Sequence, residues 1–245
     1  MTLKRYRNAI GAIAALAGVA AFGKTAEAQI HPSFYGSAEA DTRNSQFYLA
    51  GAYFGWGRLG WTPYFNVNAY LLSYPLLGTR QTLSAVSPTV GYAYAARNSG
   101  VSFGAGYAAV HNPNPGAPGA EGGGDNGVTG SLDAYHRGAG RRPLYTQVLA
   151  NYNFGSDYIW ARARVSVPYG QSEEHPQRVG LEAVGQGGGK SGNTSSIFEG
   201  GPTFEYTWTP AWSTTGSVGY KSVGASFLAS RESAAYLKLE FSYSP

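Results

Sequence analysis

From Tyr236 to Tyr243 the chain reads Tyr-Leu-Lys-Leu-Glu-Phe-Ser-Tyr, which puts Leu237, Leu239, Phe241 and Tyr243 on one side of an extended backbone and Lys238, Glu240 and Ser242 on the other. A helix would mix these two sets, whereas a strand with a period of two separates them. The same division recurs at Phe65, Val67, Ala69 and Leu71 against Asn66, Asn68 and Tyr70. It recurs again at Ile159, Ala161, Ala163, Val165 and Val167 against Trp160, Arg162, Arg164 and Ser166. Turn chemistry separates such runs, as in Arg97-Asn98-Ser99-Gly100 and Arg137-Gly138-Ala139-Gly140. The pattern predicts about twelve strands of roughly ten residues, the length a tilted membrane-spanning strand needs. They fall approximately over 33–41, 45–56, 62–72, 85–97, 100–111, 128–137, 143–154, 157–168, 177–186, 196–208, 211–221 and 233–243.

Two-faced strands suit a water-soluble sandwich or lipocalin-like barrel as well as a membrane barrel, and composition separates the two. Of the 245 residues, 13% are charged and 14% aromatic, with 35 Gly, 19 Tyr and no Cys. A soluble surface carries about a quarter charged residues, mostly outward-facing Lys and Glu, and a disulfide scaffold needs cysteines. Phe54, Trp56, Trp61, Tyr64, Tyr158, Trp160, Trp208 and Trp212 lie near predicted strand ends, where interfacial girdles form. Hydrocarbon forbids open sheet edges, because no water is there to bond the unpaired amides. The expected fold class is therefore all-β, a closed antiparallel transmembrane β-barrel of about 12 strands.

Residues 1–28 have a basic start (Lys4, Arg5, Arg7), an apolar run from Ala9 to Phe22 and the ending Ala26-Glu27-Ala28, the three parts of a cleaved secretory signal peptide. Residues 29–245 would then form the barrel in the bacterial outer membrane. Removing the leader's four Lys or Arg and one Glu from the chain's 18 and 14 leaves 14 basic and 13 acidic residues, a balance that does not point to nucleic acid. With both termini in the periplasm, the Gly/Pro-rich stretches Asn112 to Gly127 and Gly187 to Ser195 become the long outward loops. Gly155-Ser156 would be a very short outward loop and Gln171 to Pro176 a longer inward one, against the trend. Pro202 falls inside the tenth strand, where Gly200-Gly201 suggests a bulge. The last aromatic, Tyr243, stands two positions before the end.

Polar faces turned to the lumen would place Arg162 and Arg164 on the eighth strand, Glu182 on the ninth, Glu199 and Glu205 on the tenth, and Lys238 and Glu240 on the twelfth. Opposite charges on neighbouring strands read as an ion-pair network that fills and stiffens the lumen, with Arg162 or Arg164 against Glu182. The functional reading of the same set is a charged constriction that selects a solute. Catalysis by Ser and His finds little support: His31-Pro32-Ser33 precedes the first predicted strand, and His111, His136 and His175 have no serine and carboxylate on a shared face. No histidine spacing converges metal ligands, and no cofactor is expected. Gly187-Gly188-Gly189-Lys190-Ser191 is not a phosphate loop, because its opening glycine would be residue 184, a valine. Asp125 with Glu121 offers only two carboxylates to a calcium ion.

A Tyr-rich hairpin runs from Phe47 to Trp61, followed by Val101-Ser-Phe-Gly-Ala-Gly-Tyr107, a His- and Pro-rich loop leading into Gly130-Ser-Leu-Asp-Ala-Tyr135, Val179-Gly180-Leu181-Glu182-Ala183, and Gly216-Ser-Val-Gly-Tyr220. Together these segments resemble the BcsS-like family of exported proteins encoded with bacterial cellulose synthesis. The resemblance spans most of the mature chain through short motifs. It implies a non-enzymatic outer-membrane barrel supporting cellulose or exopolysaccharide biosynthesis or export, with outer-membrane lipid and polysaccharide-secretion proteins as partners. It brings no catalytic residues. The Gly/Pro excess between Asn112 and Gly127 and the Gly185 to Gly192 run depart from it. A general small porin-like or structural surface barrel is the alternative, and a lipid-modifying outer-membrane enzyme stands behind both.

Overall fold

The computed structural model describes residues 30–56, 59–76, 79–111, 125–140, 142–170, 175–190, 194–226 and 228–245. The signal-peptide reading of residues 1–28 lies outside them, as do Glu121, most of the Asn112 to Gly127 loop and residues 191–193 of the Gly187 to Ser195 loop. The chain forms β1 (His31–Asp41), β2 (Gln46–Gly55), β3 (Gly60–Leu76), β4 (Thr79–Ala95), β5 (Ser99–His111) and β6 (Gly127–Arg137), followed by β7 (Tyr145–Asn153), β8 (Tyr158–Tyr169), β9 (Gln177–Gly188), β10 (Ser195–Thr209), β11 (Trp212–Ala225) and β12 (Glu232–Tyr243). Each strand pairs antiparallel with the next. β1 then pairs with β12, from Phe34 opposite Tyr243 to Asp41 opposite Tyr236, and the sheet closes on itself.

Closure decides which face meets which solvent. Leu237, Leu239 and Phe241 are exposed on the outer wall, while Ala234, Tyr236 and Lys238 on the opposite face of the same strand are buried. Val218 and Tyr220 on β11, Phe198 and Phe204 on β10, and Val86, Val90 and Tyr92 on β4 continue the exposed apolar wall. At the end of the barrel that holds the chain termini, outward rings run together: Trp212 with Tyr243 (centroids 4.5 Å apart), Tyr243 with Phe34 (6.3 Å), Phe34 with Phe54 (6.5 Å) and Phe54 with Phe65 (6.1 Å). Trp61 continues the belt against Tyr94 (5.2 Å) and Phe103 (5.7 Å). Rings with a polar edge favour the boundary between headgroups and acyl chains. Tyr64 and Tyr158, expected in that belt, are buried inside instead: Tyr64 stacks on Tyr53 (5.1 Å) and the Tyr158 hydroxyl donates to Gln186 Oε1 (3.1 Å).

Three local expectations are corrected. β3 and β4 have 17 residues each and pair through Leu76 and Thr79, where the pattern suggested a long connection between 72 and 85. Their inward residues Leu72, Tyr74, Leu83 and Ala85 are buried and mostly apolar and alternate with outward Ser73, Thr82 and Ser84, so the alternation of the other strands is inverted there. No bulge forms at Gly200-Gly201-Pro202; the register of β10 and β11 shifts between Thr207 and Thr209. Gly201 and Gly219 serve close approach, since a Cβ on Gly201 would lie 1.9 Å from the Val218 carbonyl oxygen. His31 belongs to β1 rather than preceding it, and the Ser33 hydroxyl meets that of Ser244 at 2.7 Å.

The outward face predicts a specific cost. Val218, half-exposed in the middle of β11, should tolerate Arg poorly: Val218→Arg should lose about 2–4 kcal/mol of folding stability in phosphatidylcholine vesicles, measured by urea titration. An unchanged midpoint would mean that this wall does not face hydrocarbon.

Candidate functional site

Alternation turns every second residue of β8, β9 and β12 into the lumen, and barrel curvature brings these strands opposite one another. Arg164 and Glu182 are register partners on β8 and β9; Arg164 Nε donates to Glu182 Oε2 at 3.1 Å and its Nη2 to the same oxygen at 2.5 Å. Arg162 Nη1 crosses to Glu240 Oε1 on β12 at 2.5 Å and lies 3.8 Å from Glu182 Oε2. Arg164 also pairs with Glu240, and Lys238 of β12 with Glu182 of β9. The Glu182 side chain has no exposed surface. Three cations thus hold two carboxylates in a cluster that carries one excess positive charge. One amide extends it to a further carboxyl group: Arg162 Nη2 donates to Gln147 Oε1 (3.4 Å), and Gln147 Nε2 donates to Asp133 Oδ1 of β6 (3.3 Å).

A second cluster surrounds Lys221 on β11, which pairs with Glu39 on β1, lies 3.2 Å from Glu199 on β10 and 3.4 Å from Asp41 on β1. Three carboxyl groups face one ammonium, a formal excess of two acidic groups, and all four side chains are buried. Glu39 is also the register partner of Lys238, so the two clusters touch along the β1–β12 seam. Glu205 stands apart, 3.9 Å from Arg178 at a partly exposed position, with the Arg178 guanidinium 4.9 Å above the Tyr145 ring. The seven residues proposed from sequence therefore divide: Arg162, Arg164, Glu182, Lys238 and Glu240 meet in one group, Glu199 joins the other, and Glu205 belongs to neither.

Sequence reasoning missed Lys221, Glu39, Asp41 and Arg178. The signal was present, because Ser37, Glu39 and Asp41 alternate with Ala38 and Ala40 in the strand that must close against Lys238. It missed the opposite wall as well. There Tyr35 reaches past β2 to β3, its hydroxyl lying between the side-chain amides of Asn66 (3.0 Å) and Asn68. Gly51 leaves the room, since a Cβ there would lie 2.3 Å from the Tyr35 ring. Tyr53, Tyr64 and Ser131 continue this uncharged polar wall, with Tyr64 and Ser131 hydroxyls 3.5 Å apart. The lumen is thus charged along β8–β12 and β1, and rich in tyrosine and amide along β2–β7, where Asp133 on β6 is the exception among the described residues.

The histidines stay separate from this interior. His31, His136 and His175 lie at the terminal end and His111 at the other; His175 stacks on Tyr206 (5.8 Å), with Nδ1 3.3 Å from the Thr207 carbonyl oxygen. Among the described residues, no group of three or more His, Cys, Asp or Glu is arranged to hold a metal ion.

No family model and no curated protein matches this chain. Solved structures do share its fold. The β domain of the Bordetella autotransporter BrkA aligns at TM-score 0.53 and 12% identity over 88% of this chain and 99% of its own. LpxR from Salmonella typhimurium aligns at TM-score 0.52 and 12% identity over 86% and 99%. The KdgM porin aligns at 0.47 and 11% over 87% and 99%. Identities this low carry the fold and nothing finer. With its apolar outer wall and closed twelve-strand ring, the chain is an outer-membrane β-barrel.

Removing one partner of a buried pair strands the other, at a cost of about 3–5 kcal/mol, whereas a partly exposed pair is worth about 0–1 kcal/mol. Glu182→Gln should therefore lower the temperature at which the compact, heat-modifiable gel band is lost, and Glu205→Gln should leave it in place. Equal behaviour of the two variants would contradict the ranking.

Proposed function

We propose that this protein is a non-enzymatic outer-membrane barrel that supports bacterial cellulose or exopolysaccharide biosynthesis by anchoring or organising the export apparatus, and not by conducting the glucan through its own lumen. The observation that carries the second half is the pair of bridges Arg162–Glu240 and Lys238–Glu182, which join strands four and three places apart around the ring. A twelve-strand barrel is narrow, since diameter grows with strand number. Side chains that meet across it leave a hydrated polymer no passage at that level unless buried ion pairs break. The polysaccharide half rests on the resemblance of Val101 to Tyr107, Gly130 to Tyr135 and Gly216 to Tyr220 to BcsS-like segments. Chemistry in the lumen is not required for such a role, and the separation of the histidines from the buried carboxylates supports the non-enzymatic reading.

A small-solute pore is the second reading, favoured by the wall of Tyr35, Tyr53, Tyr64, Asn66 and Asn68. Rings and amides there suit a small polar or sugar-like solute held beside the charged side. LpxR shares the fold, and a lipid-modifying activity stands third.

Two measurements separate these. In planar bilayers the wild-type barrel should give no large conductance steps, while Arg162→Ala with Arg164→Ala should open measurable ones; wide, ion-conducting wild-type insertions would overturn the closed-lumen reading. Deleting the gene should reduce calcofluor and Congo-red binding by the cells, and an unaltered phenotype would defeat the polysaccharide reading whatever the conductance.

A further inference from the structure

Arg231, in the connection from β11 to β12, does not join the lumenal charge. Its guanidinium folds back over the outer wall at the barrel end away from the chain termini. Nε donates to Ser222 Oγ (3.0 Å), Nη1 to Ser196 Oγ (2.9 Å), and Nη2 to the carbonyl oxygens of Ser222 (3.0 Å) and Ser196 (3.3 Å). The same group lies 5.4 Å from the centre of the outward Phe198 ring. Gly224 keeps the place open: a Cβ there would lie 2.7 Å from Arg231 Nη1. Phe198 and Tyr220 are the last apolar outward residues of β10 and β11, and Ser196, Ser222 and Gly224 follow them. The guanidinium therefore sits where the apolar band ends, at the depth of lipid headgroups.

We propose that this notch binds the phosphate of a membrane-lipid headgroup. It is a cavity of about 410 Å³ lined by Thr194, Ser196, Gly224, Ser226 and Arg231, among others. Its chemistry is that of donors. The hydroxyls of Ser196 and Ser222 accept from Arg231, and that of Ser226 accepts from the Thr194 amide (3.2 Å), so each retains its own O–H to donate. Among the described residues no carboxylate forms an ion pair with Arg231; its neighbour Glu232 is taken by Arg43 at 2.7 Å. An exposed guanidinium, held by four hydrogen bonds and without a counter-charge, is fixed in direction; with four of its five N–H groups taken, it offers a phosphate oxygen its charge and the remaining Nη1–H beside the serine hydroxyls. Its contact with Phe198 and its place on the lipid-facing wall select a phosphate that arrives on acyl chains over one free in water.

Native mass spectrometry of the folded full-length barrel released from detergent micelles, with diphosphoryl lipid A added, tests this. The wild type should carry a retained lipid adduct, and Arg231→Gln should reduce the bound fraction about tenfold. Arg231→Lys, which keeps the charge and loses the four bonds that fix its direction, should fall between. Arg97→Gln, a cation lost in the β4–β5 turn at the opposite end, should bind as the wild type does, and heat-modifiable gel mobility reports that each variant is folded. An adduct that survives Arg231→Gln overturns the assignment. So does displacement of the lipid by millimolar inorganic phosphate alone, which would make the notch a soluble-anion site; persistence of the lipid under that challenge is the expected result.

Discussion

Every backbone amide within hydrocarbon must find its partner inside the protein, and this one requirement sets the rest of the molecule in order. A single open edge between β1 and β12 would strand a row of donors and acceptors. The sheet therefore closes, Phe34 to Asp41 along Tyr243 to Tyr236, and closure divides the side chains into those that touch lipid and those that touch one another. Pro88 and Pro202, which have no amide to offer, both sit on the outer face within continuous registers. At Pro202 the backbones of β10 and β11 approach over Gly201 and Gly219, and pairing resumes at Thr203 opposite Ser217.

The interior carries the polarity that the exterior gives up. Its charge is neither scattered nor neutral in each part: the Glu182 cluster has a cation in excess and the Lys221 cluster two acidic groups, and Lys238 opposite Glu39 joins them. Burying such groups is costly unless each is paired. Here several carboxylates accept from more than one cation, as Glu182 does from Arg164 and Lys238, so the arrangement acts as one body. Among the described residues the tyrosine and asparagine wall of β2 and β3 makes no ion pair to β8, and Tyr35 is tied instead to its own neighbourhood on β3.

Much of the fold was legible because lipid and lumen impose opposite chemistry on successive residues. Leu237, Lys238, Leu239 and Glu240 announce both faces in four letters. Legibility failed where that contrast reversed. At the far end of β3 and β4 the inward side is Leu72, Tyr74 and Leu83 while the outward side turns to Ser73, Thr82 and Arg80, and Pro75 next to Tyr74 looks like a turn although it pairs with Arg80. The charged residues of β8, β9 and β12 could be assigned to the lumen by parity alone. Their partners could not, since parity gives the face of a residue and not the curvature that carries Arg162 to Glu240. Glu39 and Lys221 show the limit from the other side: each was readable as inward, yet only the closing register makes them neighbours. Tyr64 and Tyr158 were misplaced in the girdle because nearness to a strand end says nothing of which way a ring points.

The Glu39–Lys221 contact joins positions 182 apart in the chain, and Arg162 to Glu240 spans 78. Neither bond can exist before the final strand has been laid down. Until then the growing curved sheet must keep its carboxylates and guanidiniums hydrated, since water is the only partner they have. The last step of assembly accordingly does two jobs in one motion: as β12 zips onto β1 it satisfies the exposed amide edge and drives solvent from the charges behind it. The ring and its internal ties form together, and neither is complete without the other.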